Sequence, residues 1–315
     1  MGFLVLAQDH KNIGMKLTIL GCYAATPRTF TNPTSQVLEI NNHLFLIDCG
    51  EGTQVELRRN KIKFSRIKHI FISHLHGDHC FGLVGLISTF RLLNRESELH
   101  VYGPKGIKEI ITLQLKLSKS WTNYPLLFHE LESKNPQLLF EDEKVTVETI
   151  PLNHRIYTNG FLFKEKPGPR KLLINEVMKY NIDVSLYQSV KMGKDVESND
   201  GEIIPNHLVT GPPEDPMSYA FCSDTAYYPE MVSQIMNTTV LYHESTFLEI
   251  NKELATPTKH ATAIQAALIA KEAKVNKLIL GHFSTRYSSI QLFKEEALTV
   301  FPNVDLADDG KIFIF

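Results

Sequence analysis

Six consecutive residues, His74-Leu75-His76-Gly77-Asp78-His79, contain four side chains able to bind a metal. They follow an apolar, strand-like stretch at 70–73 and precede a helix-like stretch that begins at Cys80. In extended chain, side chains two apart point the same way, so His74 and His76 face together. Gly77 permits a sharp turn, which places Asp78 and His79 where the helix begins. Imidazole and carboxylate donors of this kind suit zinc. One ion does not use so many groups, so further ligands are expected at the ends of other strands. His154 follows the apolar run 145–152, Asp224 follows 219–223, and His282 follows 277–281. A folded sheet would bring such strand ends to one edge. A carboxylate has two oxygens and can bridge two cations, and Asp224 is the natural candidate for that role. The histidines at 10, 43, 69, 100, 129 and 207 lack this placement and read as surface or core residues.

The elements that must position these groups are short. Strand-like runs stand at 17–20, 36–40, 43–47, 69–72, 99–102, 145–150, 219–223, 240–244 and 277–281. Helix-like stretches stand at 53–60, 80–93, 106–117, 262–274 and 288–300, the second with Phe81, Val84, Leu86, Ile87 and Phe90 as its apolar positions. Strands outnumber helices, which predicts layered α/β packing with the sheets inside. The longest fully apolar runs are about five residues, against roughly 20 for a membrane span, so no membrane segment is expected. A net charge of −2 excludes a chain-wide cationic surface for nucleic acid but leaves room for a local patch. Cys22, Cys49, Cys80 and Cys222 form no CxxC pair and read as free, buried thiols of a reducing compartment. No signal peptide is evident, and the expected location is the cytoplasm. Met15 stands directly before the first strand-like run. Residues 1–14 therefore read as an extension outside the fold, and 15–315 as one domain.

The segment 164–199 breaks this rhythm. Pro167, Gly168 and Pro169 precede a helix-like piece and a polar stretch. Its few apolar anchors are Leu172, Leu173, Ile174, Val177 and Met178. From Lys164 to Lys194 there are seven basic and three acidic residues, a local excess of +4. An element that tracks phosphates has use for that bias.

In chain order these motifs resemble those of the metallo-β-lactamase superfamily and, within it, the ribonuclease Z family of tRNA 3′-processing endonucleases. Asp48-Cys49-Gly50-Glu51-Gly52-Thr53-Gln54 resembles the first motif and HLHGDH at 74–79 the second. His154, Ser223-Asp224-Thr225 and HFSTRY at 282–287 resemble the later ones. HESTF at 243–247 is similar to the family's HEATF-like segment, and His260-Ala261-Thr262 to its His-x-Thr loop. The resemblance implies a four-layer αβ/βα metallo-β-lactamase sandwich, two zinc ions per chain, no organic cofactor and a homodimer. It also implies that 164–199 is a protruding arm that grips precursor tRNA. By the same resemblance His74, His76 and His154 bind one zinc, Asp78, His79 and His282 bind the other, and Asp224 bridges. The first motif would support the metal loop. Family arms commonly carry a Gly-Pro-rich turn near their middle, whereas 180–187 here has neither residue.

The expected reaction is hydrolysis of a phosphodiester by metal-activated water, removing the 3′ trailer of a tRNA precursor and leaving a 3′-hydroxyl. Asp78 reads as ligand and general base, His260 as general acid, and Glu244 as the carboxylate that orients His260. The competing reading of His260 is a surface residue before a helix capped by Thr262. The alternative activity is hydrolysis of cyclic nucleotides or aryl phosphodiesters by the same metals. Small-ester hydrolysis needs no basic arm. A non-catalytic RNA-binding role would not be expected to keep all seven ligand candidates.

Overall fold

The computed structural model describes residues 14–26 and 28–315. The extension expected at 1–14 lies, apart from Gly14, outside them. The first part of the described chain supplies β1 (Met15–Gly21), β2 (Ser35–Ile40), β3 (His43–Ile47), α1 (Thr53–Arg59), β4 (Ile67–Phe71), α2 (Gly77–Cys80), α3 (Leu83–Leu92), β5 (Leu99–Pro104), α4 (Ile107–Leu117) and β6 (Leu126–Leu131). Then come β7 (Leu138–Glu141), β8 (Val145–Pro151) and β9 (Asn159–Glu165). An excursion at 166–217 holds β10 (Lys171–Leu172), α5 (Ile174–Lys179), α6 (Tyr187–Lys191), β11 (Val196–Glu197), β12 (Ile203–Ile204), α7 (Asn206–Val209) and β13 (Thr210–Gly211). The chain closes with β14 (Ser218–Cys222), β15 (Val240–Glu244), α8 (Lys252–Thr258), α9 (Ala263–Glu272), β16 (Lys277–Gly281), α10 (Gln291–Leu298), β17 (Val304–Leu306) and β18 (Ile312–Ile314).

Two seven-stranded sheets result, ordered β18-β1-β2-β3-β4-β5-β6 and β17-β16-β15-β14-β9-β8-β7. Strand β3 shows how period-2 alternation serves two layers. Phe45 and Ile47 join the core between the sheets, while Leu44 and Leu46 pack with Leu57 of α1, Leu86 of α3 and Ile111 of α4. Ring contacts tie the sheets together, Phe45 to Phe163 at 5.3 Å and Phe71 to Phe161 at 5.4 Å between centroids. On the far side, Ala263, Ala266, Ala267 and Ala270 let α9 lie close on the second sheet, beside Phe293 and Ala297 of α10. The layers are therefore α, β, β and α. Strands β3, β4 and β5 run parallel, as do β14 to β17, and β8 shares the direction of β14 through the antiparallel β9. Within each sheet the carboxyl ends of these strands collect at one edge, where parallel sheets hold their ligands.

Two local readings are corrected. The helix expected at 80–93 is split, because the Gly82 N–H donates to Cys49 O at 2.9 Å instead of continuing one helix. A Cβ on Gly82 would lie 2.0 Å from Gly50 O, so the turn after β3 and the start of α3 need that glycine in order to touch. Phe81, read as part of the apolar face, is exposed. Gly77 does not use left-handed backbone; what it supplies is space, since a Cβ there would press on the Phe81 ring at 2.5 Å.

The excursion also differs from its reading. Lys164 and Glu165 belong to β9, and the chain returns to the main sheet only at Ser218. Val177, Ile182, Val190, Val196, Ile204 and Val209 form a small core of its own, while Leu173, Ile174 and Met178 are exposed. Over 166–217 there are six basic and eight acidic residues, so the excess of positive charge disappears. Lys164 pairs with Glu148 at 3.6 Å, Lys166 with Glu141 at 2.6 Å, Lys171 with Glu214 at 3.0 Å and Lys179 with Glu176 at 3.2 Å. The +4 arose from a boundary that left out the acidic return of the chain.

A row of histidines crosses the first sheet from His43 through His69 and His100 to His129, with Phe140 of β7 packed on His69 at 4.7 Å. His69 stacks on His100 at 5.0 Å and His100 on His129 at 5.2 Å. Burial and the neighbouring imidazoles pull His69 down to about 3. In the unfolded chain a histidine titrates near ~6.5, so the unfolded state takes up the proton first. Stability from the neutral ring is present above that value and is lost as pH falls from about 6.5 towards 3. Acidification from pH ~7 to ~5 should therefore lower the urea midpoint less in His69→Phe than in the wild-type protein. An equal drop would remove His69 from the acid response.

Candidate metal centre

The loop from Ser73 to His79 is held from beneath by Asp48, the residue after β3. Asp48 is fully buried and accepts from Ser73 N at 2.7 Å, Ser73 Oγ at 2.9 Å and His79 Nδ1 at 2.7 Å. It sits at φ 55°, a left-handed conformation that a non-glycine residue adopts only when its surroundings hold it there. His282, at φ 57°, and Lys259, at φ 59°, share this conformation at the site.

Seven side chains predicted as ligands converge here. One set of donor atoms comes from His74, His76, His154 and Asp224, the other from Asp78, His79 and His282, and within each set all atoms lie within 4.8 Å of one another. Asp224 is 2% exposed and turns one oxygen to each set. Its Oδ2 lies 3.7 Å from His74 Nε2 and 3.9 Å from His154 Nε2. Its Oδ1 lies 3.4 Å from His79 Nε2 and 3.2 Å from His282 Nε2. Asp78 Oδ2 approaches the same two nitrogens, His79 at 3.5 Å and His282 at 3.6 Å.

The imidazoles are oriented by their second nitrogen. His79 Nδ1 donates to Asp48, His154 Nδ1 to the Lys259 carbonyl at 2.9 Å, and His282 Nδ1 to Thr246 Oγ1 at 2.9 Å. Ser73 Oγ, which donates to Asp48, accepts from His74 Nδ1 at 3.0 Å. In these four rings Nδ1 is thus engaged and Nε2 faces the cleft, whereas His76 turns its Nδ1 to the Nε2 atoms of His74 at 2.9 Å and His154 at 3.4 Å. Two of these buried atoms, His79 Nε2 and His282 Nε2, have no hydrogen-bond partner at all. A cation between them and the two carboxylates would satisfy both, so the donors fit a metal centre. Burial holds His74, His76 and His154 below the usual histidine range and favours the neutral ring that a metal requires. Burial lowers His79, but Asp224, Asp48 and Asp78 outweigh it and hold it above the usual histidine range, so a cation arriving there would displace a proton. Burial would raise Asp78 and Asp224, but the imidazoles of His79 and His282 outweigh it and keep both carboxyls below their usual range.

His260 and Glu244 adjoin this centre. Glu244 is fully buried, and its Oε1 accepts from His260 Nδ1 at 2.8 Å and Thr225 N at 2.9 Å. Its Oε2 accepts from Thr246 N at 3.1 Å and Thr246 Oγ1 at 2.6 Å. One hydrogen-bonded chain thus links His282, Thr246, Glu244 and His260. Burial alone would lower His260, but Glu244 and Asp224 outweigh it and push it up to about 9. Asp224, His260 and His282 also form a third trio of donor atoms within 4.8 Å. The short bond to Glu244 already occupies His260 Nδ1. The surface placement of His260 does not hold. Thr262 nevertheless caps α9, with Gln265 completing a capping box. His243 points elsewhere, its Nδ1 donating to Glu244 O at 2.7 Å.

Sequence reading quoted Thr225 and Thr246 within motifs but gave them no role, and it did not single out Ser73 or Arg155, nor the cleft wall at Ala24, Ala25 and Thr26. Ser73 carried a signal in hindsight, since it directly adjoins His74. Asp48→Asn keeps the size of the side chain but weakens its hold on the His79 N–H. Metal affinity should fall about 10–100-fold, the usual cost of removing such an outer partner. Competition with a chromogenic chelator would measure it, and unchanged affinity would mean that Asp48 only shapes the loop.

Comparison with known proteins agrees with this geometry. A family model described as anti-Pycsar protein Apyc1 matches residues 15–195, which include the His-rich loop and His154 but stop before Asp224. The ribonuclease Z of Bacteroides thetaiotaomicron is 48% identical over 94% of this chain and 93% of its own. The crystal structure of the short form of human tRNase Z superposes with a TM-score of 0.69 at 27% identity, covering 95% of this chain and 98% of that one. The metallo-β-lactamase-fold protein YhfI of Bacillus subtilis gives 0.67 at 18% identity, covering 96% and 99%. The family model covers the first part of the site, the relatives match over most of the chain, and the chain belongs to the ribonuclease Z family of hydrolases on the metallo-β-lactamase fold.

Proposed function

We propose that this enzyme is a zinc-dependent endoribonuclease that removes the 3′ trailer from tRNA precursors and leaves a 3′-hydroxyl on the tRNA. The observation that carries the reading is Asp224, whose two oxygens face two separate donor sets in a member of the ribonuclease Z family. His74, His76 and His154 would hold one zinc, Asp78, His79 and His282 the other, with Asp224 shared. Zinc ions held there supply Lewis-acid chemistry, neutralising phosphoryl oxygens and bringing a water's pKa towards ~7.

The chain's own groups do the rest. Asp78 accepts the proton of the attacking water. His260, held protonated by Glu244, donates from Nε2 to the departing ribose oxygen. Three or more neutral imidazoles with carboxylates favour zinc over magnesium, which prefers oxygen donors and retains its water. We place the enzyme in the cytoplasm as a homodimer; among the described residues no helix is long and apolar enough to cross a membrane.

Incubating the protein with a trailer-bearing tRNA, with and without a chelator, tests the reading. Cleavage that stops with the chelator and returns with zinc is the expected result. An intact precursor beside rapid hydrolysis of cyclic nucleotides would favour the small-phosphodiester alternative. Replacing 166–217 by a short Gly/Ser linker should weaken precursor cleavage and spare bis(p-nitrophenyl) phosphate. With its positive excess gone, the excursion should contribute little to the salt dependence of binding, and a steep change in that dependence would contradict this.

A further inference from the structure

Arg155 follows His154 directly and is exposed at the cleft. The cleft has a volume of about 370 Å³, and Arg155 is its one Lys or Arg among the described residues. The rest of its lining, beyond the donor groups, is small and neutral: Ala24, Ala25, Thr26, Gly77, Ser284 and Thr285. Arg155 makes no hydrogen bond and no ion pair with a described residue, although Asp78 and Asp224 line the same cleft. Those carboxylates are engaged with the imidazoles. The ring of the preceding His154 lies 5.1 Å from that of His76 and 5.1 Å from that of His260, so Arg155 enters the cleft beside both the first donor set and the group that protonates the leaving oxygen.

A planar fork of N–H donors with no partner, in a cleft built for phosphodiester hydrolysis, matches a phosphate oxygen pair. The reaction sets its side. His260 serves the ribose oxygen that stays on the tRNA, so groups beside His260 meet the strand upstream of the cleaved bond. We propose that Arg155 grips the RNA phosphate one nucleotide upstream of the scissile one, setting the register of the strand in the cleft. This rests on the RNA-cleaving reading above. A substrate with a single phosphate has nothing to offer this arginine.

The test compares wild type, Arg155→Ala and Arg155→Lys on a trailer-bearing tRNA and on bis(p-nitrophenyl) phosphate, with metal content measured for each protein. For Arg155→Ala the expected result is a KM for the precursor raised about 10-fold, kcat changed less than about 3-fold, and a salt dependence shallower by about one phosphate contact. Hydrolysis of bis(p-nitrophenyl) phosphate should stay within about 2-fold, with metal content unchanged. Lysine should restore only part of the loss, because it keeps the charge without the fork. Parallel loss on both substrates would overturn the proposal and assign Arg155 to the metal centre or the scissile phosphate. An unchanged KM for the precursor would overturn it in favour of a merely solvated side chain. Wild-type protein that leaves the precursor intact would remove the RNA reading itself, a failure visible before any variant is assayed.

Discussion

Asp224→Ala is expected to lose metal and trailer cleavage together. Its carboxylate lies within 3.9 Å of five imidazole nitrogens, from His74, His154, His79, His282 and His260, and among the described residues it is the carboxylate that approaches imidazoles of both donor sets. Losing an outer partner of a metal ligand costs about 10–100-fold, so losing an oxygen donor from both sets at once should exceed ~100-fold in cleavage. Elemental analysis of the purified variant should show less than the wild-type metal content. Asp224→Asn should fall with it, because an amide keeps the shape but offers one weak oxygen in place of two charged ones. A variant that keeps its full metal content and cleaves normally would show that the two sets do not share this residue.

His260→Ala should separate the metal centre from proton delivery. General acid catalysis is worth about 10²–10⁴-fold, and the ribose oxygen is a poor leaving group that needs the proton. Precursor cleavage should fall by that order while metal content holds. Bis(p-nitrophenyl) phosphate should be spared, since nitrophenolate leaves without protonation. The pH profile gives an independent reading. A general acid works when protonated, so the wild-type rate should be retained below the His260 pKa and lost as pH rises through it. Burial lowers that pKa, but Glu244 and Asp224 raise it to about 9. Cations bound at Asp224 would neutralise one of those carboxylates and bring the limb down from there. His260→Ala should lack the limb altogether. Loss of a metal in this variant, or equal loss on both substrates, would make His260 a ligand instead.

The parts of this site legible in the sequence are those set by local geometry. Spacing within one extended stretch put His74 beside His76, and a following helix start placed Asp78 and His79. Ends of apolar runs marked His154, Asp224 and His282, because parallel strands finish at a common edge. Thr262 marked the start of α9 as its cap, and the structure adds Gln265, which completes a capping box. Strands were harder where local pattern fails. β9 is buried on both faces for most of its length and shows no alternation, while β17 and β18 have three residues each, too few for a period. Tertiary structure alone decided which nitrogen of each imidazole faces the cleft, since Asp48, Ser73, Lys259 and Thr246 come from different elements. It alone split the two oxygens of Asp224 between the donor sets, and it alone left Arg155 without a partner at the cleft. It also cancelled the apparent charge of the excursion, because Glu214 and Asp215 lie on the returning chain, beyond any boundary drawn from composition. A hydrogen bond or an ion pair between residues far apart in the chain depends on how the two sheets face each other, and no local spacing encodes that.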